Sequence, residues 1–161
     1  MKHLPKHLRP RYRYLAVGFE TTPDAAFGRY EFQEALWAAA RGLLGDAGSA
    51  EVSLSVLDVT RSGTEVTAVV RCRRGEVERA RAALACLAAV DGTPIRPAVR
   101  GVSGTVRACE EKYLSRPRGI SDERTVAFAD ADRRAVGRDE RVDVRVGDGF
   151  VGATNLDIHT P

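Results

Sequence analysis

The chain has 161 residues, 43% hydrophobic and 29% charged, with a formal net charge of +3. That length predicts one compact domain, usually about 100–200 residues, plus a short appendage. No apolar run approaches the roughly 18 residues of a membrane span. The start, "MKHLPKHLRPRYRYLAV", is too interrupted for a secretory leader. A cytoplasmic protein with no membrane partner is therefore expected.

The opening residues 1–11 form a basic arm. The first acid is Glu20, and Lys2, Lys6, Arg9, Arg11 and Arg13 precede it unopposed. Such an arm fits a polyanion partner or a solvated terminus. Residues 1–118 hold 19 basic and 13 acidic side chains, whereas residues 119–161 hold 6 and 9. The two ends of the chain thus differ in sign.

"YRYLAVGFE", Tyr12 to Glu20, alternates as a strand, with Leu15, Val17 and Phe19 on one face and Tyr12 and Tyr14 on the other. Thr22 can cap a first turn with Pro23 at the first helical position, and Gly28 moves the firm helix start to about Arg29. Phe32, Leu36, Ala39 and Leu43 mark the inward helix face, and Gly45 and Gly48 predict its end. A strand from Ala50 to Val59, a turn at Gly63 and a strand from Glu65 to Arg73 read as a hairpin. A second helix follows, with Val77, Ala80, Leu84 and Leu87 inward and Gly92 as terminator. "PIRPAVRGV" is a fourth strand whose prolines predict a sheet edge or a bulge. "SGTVRACEEKYL" is a third helix, with Ser103 as cap and Val106, Cys109 and Tyr113 on one face.

This order, β-α-β-β-α-β and a helix, predicts an α+β, ferredoxin-like sandwich: an antiparallel sheet with two helices on one face and an additional C-terminal helix. The added helix must bury its stripe on the open sheet face or against a partner. The domain is placed at 12–116. The acidic extension 117–161, rich in Gly and Asp, reads as a hairpin, a clip on the core or a partly disordered tail.

No catalytic constellation is visible. The histidines lie only in the two end segments, and Glu110 and Glu111 are adjacent rather than convergent. An Arg107–Glu111 pair at i,i+4 fits better. No metal-ligand spacing links the three cysteines, Cys72, Cys86 and Cys109, which read as buried inert thiols. An RNA-recognition fold stacks bases on aromatics of its central strands. The strand Glu65–Arg73 has none, so phosphate contacts fit better than base stacking on the sheet. Arg71, Arg73 and Arg74 end one strand. Arg96, Arg100 and Arg107 gather near Ser103 and Gly104, where a helix start could hold a phosphate or merely shape a corner.

The segments "RPRYRYLAV", "ALWAAARGLLGDAGSA", "TAVVRCRRGEVERARAAL" and "RGVSGTVRACEEKYL" resemble the archaeal ribonuclease P protein component 2 family, shared with a subunit of eukaryotic RNase P and MRP. The resemblance covers about residues 8–114 and says nothing of the tail. It implies a ferredoxin-like subunit of a ribonucleoprotein whose RNA is the catalyst. That RNA uses Mg2+ to release the 5′ leader from precursor tRNA, and this chain binds no cofactor or metal. The implied partners are ribonuclease P RNA, precursor tRNA, other RNase P proteins and protein component 3, with two copies of each protein in a heterotetramer. Candidate RNA contacts are Lys2, Lys6, Arg9, Arg11, Arg13, Arg71, Arg73, Arg74, Arg100, Ser103, Gly104 and Arg107. Another phosphate-reading RNA-binding protein of this fold, and a structural or small-molecule-binding dimer, are the alternative classes.

Overall fold

The computed structural model describes residues 4–22, 24–115, 123–138, 141–154 and 156–158, without the side chains of Glu123, Arg138 and Arg141. Lys2 and the expected helix opener Pro23 lie outside the described residues. A short 3-10 turn, Lys6–Leu8, leads into β1, Tyr12–Glu20. The alternation read from the sequence sorts as expected. Leu15, Val17 and Phe19 enter the main core, while Tyr14 and Ala16 face the opposite side.

α1 spans Arg29–Val52, and the Glu31 carboxylate accepts the Gly28 N–H at 2.8 Å at its start. Gly45, at φ 69°, kinks the helix without ending it, because Asp46–Val52 resumes the winding. The chain leaves only at Ser53, left-handed at φ 53°, so β2 is Ser55–Ser62 rather than starting at Ala50. The inward face runs Phe32, Leu36, Ala40, whereas Leu43 is 46% exposed. Steps of four hold this face inward; Ala39 packs against the core beside it as expected, and only Leu43 drifts off.

β3, Glu65–Arg73, returns antiparallel to β2 through Gly63 at φ 61°. α2, Val77–Ala85, buries Ala80, Ala83 and Leu84. Gly92 does not terminate this helix. Asp91 and Gly92, at φ 46° and 74°, turn a two-stranded hairpin of β4, Ala89–Val90, and β5, Thr93–Pro94. β6, Ala98–Ser103, completes a four-stranded antiparallel sheet in the order β2-β3-β1-β6. It lies at the edge, and its register against β1 shifts at Ala16/Val17.

One core fills the space between this sheet and α1 and α2, with Phe19, Phe32, Leu36, Val70 and Leu84 at its centre. The other face is covered by α3, Val106–Cys109, and a π-wound turn, Glu110–Leu114. Ala16, Val69 and Cys109 are buried there, with Tyr14, Leu57, Val106 and Tyr113 packed around them. Gly101 permits this, since a Cβ on it would fall 2.3 Å from the Tyr113 ring.

The C-terminal stretch, expected as a hairpin, a clip or a loose tail, forms a second four-stranded antiparallel sheet. Its strands are β7, Glu123–Phe128, β8, Ala131–Arg138, β9, Arg141–Val146, and β10, Gly149–Thr154. The alternation of "RVDVRV" places Val142 and Val144 in a separate small core with Val126, Ala135, Ala153 and Ile158. The molecule is thus mixed α+β with antiparallel sheets.

Candidate RNA interface

Sheet register gathers three segments at one end of the main sheet. Tyr12 pairs with Arg73, Arg13 with Cys72, and Tyr14 with both Arg71 and Ser103. The Arg74 N–H donates to the Arg11 carbonyl at 2.8 Å, tying the arm to the end of β3. Arg13 Nη1 donates to the Tyr12 carbonyl at 3.3 Å, and the same nitrogen lies 3.7 Å from where a Cβ on Gly104 would stand. Arg71 lays its guanidinium over the Tyr12 ring, 4.5 Å from the centroid, and donates to Ser55 Oγ at 3.3 Å. Further out, Arg9 Nε donates to the Leu4 carbonyl at 2.8 Å and closes the arm's turn around Lys6.

Among the described residues, Lys6, Arg11, Arg73 and Arg74 are exposed and have no acidic partner. Several other arginines are paired with carboxylates. Arg79 bridges Glu51 at 2.9 Å and Glu76 at 3.0 Å, and Arg96 bridges Asp143 at 2.5 Å. The unpaired set projects uncompensated positive charge from one end of the sheet, which suits a phosphate backbone.

Three sequence expectations at this site change. Arg100 does not stand beside the other contacts. The irregular register of β6 turns it along the sheet, across Gly18 and onto Glu65, with only 10% of its side chain exposed. Ser103 does not cap a helix, because it is still paired in β6. Thr105 caps α3 instead, its Oγ1 accepting the Ala108 N–H at 3.2 Å. α3 has four residues, so its dipole is small, and the expected phosphate cradle at Gly104 gains nothing from it. Arg107 is 86% exposed but holds Glu111 at 2.7 Å, the i,i+4 pair read from the sequence.

Cys72 and Cys109 are buried, and burial, helped by Glu76 and Glu110 respectively, pushes each thiol up to about 11. Cys86 is exposed, which corrects the expectation of three buried thiols. It falls just past the last residue of α2, after the helix has turned its apolar face away. Among the described residues, no three His, Cys, Asp or Glu side chains cluster to hold a metal. Among the same residues, no helix is long and apolar enough to cross a membrane. The sequence reading also missed Ser55, which fixes Arg71. Only the register of β2 against β3 could have found it.

Residues 13–114, the sheet with its three helices, match the model of the Rpp14/Pop5 family. The chain belongs to that family. It is 60% identical over 158 residues to the ribonuclease P protein component 2 of Natronomonas pharaonis, covering 98% of each chain. It is 56% identical to the protein of that name from Halorubrum lacusprofundi, covering 98% of this chain and 99% of the relative. The Pyrococcus horikoshii protein of the same name is 33% identical over 116 residues, which are 93% of that protein but 72% of this chain. The Rpp14/Pop5 match therefore stops before β7, while the haloarchaeal similarity extends across the second sheet.

Proposed function

We infer that the chain is a protein subunit of ribonuclease P, acting in tRNA processing, and that its basic sheet end is where it meets RNA. The full-length similarity to component 2 proteins carries the first statement. The set Lys6, Arg11, Arg73 and Arg74, without acidic partners among the described residues, carries the second. The strand order β2-β3-β1-β6, with two helices on one face, supports a ferredoxin-like assignment with α3 as the added helix.

In this reading the RNA performs the hydrolysis with its own Mg2+, and the protein neutralises phosphates and fixes RNA shape. Arg9, Arg13, Ser103 and Gly104 line the same end and complete the contact surface. Arg100 falls outside this surface, since it is held on Glu65 at the opposite end of the sheet, and Arg107 stands at the border of the surface. Protein component 3 and other RNase P proteins are the proposed protein partners, with two copies of each in the component 2 and 3 assembly. The proposed location is the cytoplasm. The test is to isolate the tagged full chain from its host and identify the bound RNA and proteins, then reconstitute 5′-leader cleavage with and without it. Recovery of ribonuclease P RNA and loss of cleavage on omission are expected. Recovery of other RNAs alone, with no effect on cleavage, would overturn the reading.

A further inference from the structure

The part of the open sheet face beneath α3 cannot take a nucleobase. α3 and the π-wound turn cover Ala16 and Val69, and Tyr14 packs beneath them, its carbonyl accepting from Cys109 Sγ. Tyr12 is different. It is the first residue of β1 and is only half-buried. It belongs to the open-face side of the strand, yet it is not part of the cluster under α3. One side of its ring is backed by the Arg71 guanidinium, 4.5 Å from the centroid.

Arg71 does not act there as a free surface charge. Its Nη2 donates to Ser55 Oγ, and its Nε is buried with no hydrogen-bond partner. It is a fixed plane spanning β1 to β2. A planar cation held against an aromatic ring gives a rigid stacking surface with little left to order on binding. The charges that would hold a backbone flank this ring. Arg11 precedes it in the chain, and Arg73 stands directly opposite it in β3. Phosphates held by these two residues would carry the nucleotide between them onto the ring.

We propose that Tyr12, backed by Arg71, stacks an unpaired RNA nucleobase at the basic end of the sheet. This rests on the RNA-contact reading above and adds a base contact to phosphate contacts. Stacking of this kind tolerates any base, because every base presents a π-face.

The probe is a short single-stranded oligoadenylate carrying one 2-aminopurine, bound to the full chain at several salt concentrations. The parent should quench the fluorophore on binding. Tyr12→Phe should keep the quenching and the affinity. Tyr12→Leu should lose the quenching and about tenfold in affinity, with an unchanged salt slope and unchanged binding to heparin, a polyanion without bases. Arg71→Lys keeps the charge but removes the plane, and should also reduce quenching. Melting curves confirm that each variant is folded. Should Tyr12→Leu not fold, the Arg71→Lys result decides. Salt-dependent binding of the parent without quenching would overturn the stacking proposal and leave the phosphate reading standing. Equal losses for oligoadenylate and heparin in Tyr12→Leu would overturn it too, since the ring would then serve only to hold the arginines. Salt-independent binding by the parent would instead strike the phosphate reading itself.

Discussion

At the end of the main sheet where β1 begins, Arg11, Arg73 and Arg74 stand exposed with no acidic partner among the described residues. Where β1 ends, Arg100 lies against Glu65, and Arg96 reaches Asp143 in the second sheet. The residue type is the same, and the local chain is extended in both places. The difference is whether the fold brings a carboxylate within reach. At the far end, the hairpin returns Glu65 opposite Glu20, and the irregularity in β6 swings Arg100 onto it. At the near end, the paired strand residues are arginines, tyrosines, Cys72 and Ser103, with no carboxylate among them. One end therefore uses arginine as internal structure and the other leaves it for a partner.

Both ends rest on one core, so the largest expected effect removes the comparison altogether. Leu84 is 1% exposed between α2 and the sheet. Leu84→Ala should cost about 2–5 kcal/mol, from reduced burial plus the cavity left behind. Thermal or denaturant unfolding measures this. A variant that melts like the parent would mean that α2 is not seated on the sheet through this face.

The comparison itself is tested by the same substitution at each end. Arg100→Ala should cost about 1–3 kcal/mol of stability, because it strands the half-buried Glu65 and exposes the surface at Gly18. RNA affinity of the folded variant should stay unchanged. Arg73→Ala combined with Arg74→Ala should shift stability by less than about 0.5 kcal/mol per site. It should instead weaken RNA binding and lower the logarithmic salt slope by about 0.7–0.9 for each phosphate no longer neutralised. If the two readouts exchange places, the ends have been assigned the wrong way round.

Much of this contrast is legible in the sequence, and the exceptions have physical causes. Leu15, Val17 and Phe19 mark β1 by a period of two, because that face lies on the main core, and the turn at Gly63 marks the start of β3. The unopposed arm and the Arg71 to Arg74 run are visible as charge. Arg100 groups with them in sequence because a bulge depends on pairing to a distant strand, which local pattern does not encode. Ser103 and Thr105 are both good caps by type, and only the length of β6 decides between them. Asp91-Gly92 carries a hairpin signal that, directly after a helix, looks the same as a helix stop. The second sheet is hard to read because its strands are short, with charged residues interrupting the apolar ones.

A smaller effect sharpens the near end. Thr105→Ala should cost about 1 kcal/mol, the usual loss for a helix cap. Ser103→Ala should cost less than about 0.5 kcal/mol, since no capping bond is removed. Melting of the two variants side by side measures the difference. Equal losses would show that α3 is anchored by the strand end rather than by its cap.

The smallest effect leaves stability at neutral pH untouched and reads how firmly each part of the sheet is closed. Cys86 is exposed, while Cys72 and Cys109 are buried with thiols pushed up to about 11. Only the thiolate reacts with a disulfide reagent, so near pH 8 one thiol should react at once and two slowly. Cys72 lies in the main core, and its modification should require global unfolding. Cys109 is the last residue of α3, a helix of four residues followed by a π-wound turn, so it should react earlier through local opening. The raised values also set the direction of the pH effect. The unfolded thiols ionise near the ordinary 9.0 and the folded ones near 11, so stability is full below pH 9 and falls as pH rises toward 11. Mass-resolved labelling over time gives the order. If Cys72 and Cys109 react at the same rate, α3 does not open independently. The cover over the sheet would then be as firmly closed as the core beneath it, and the access of a base to the face would be confined to the strand end at Tyr12.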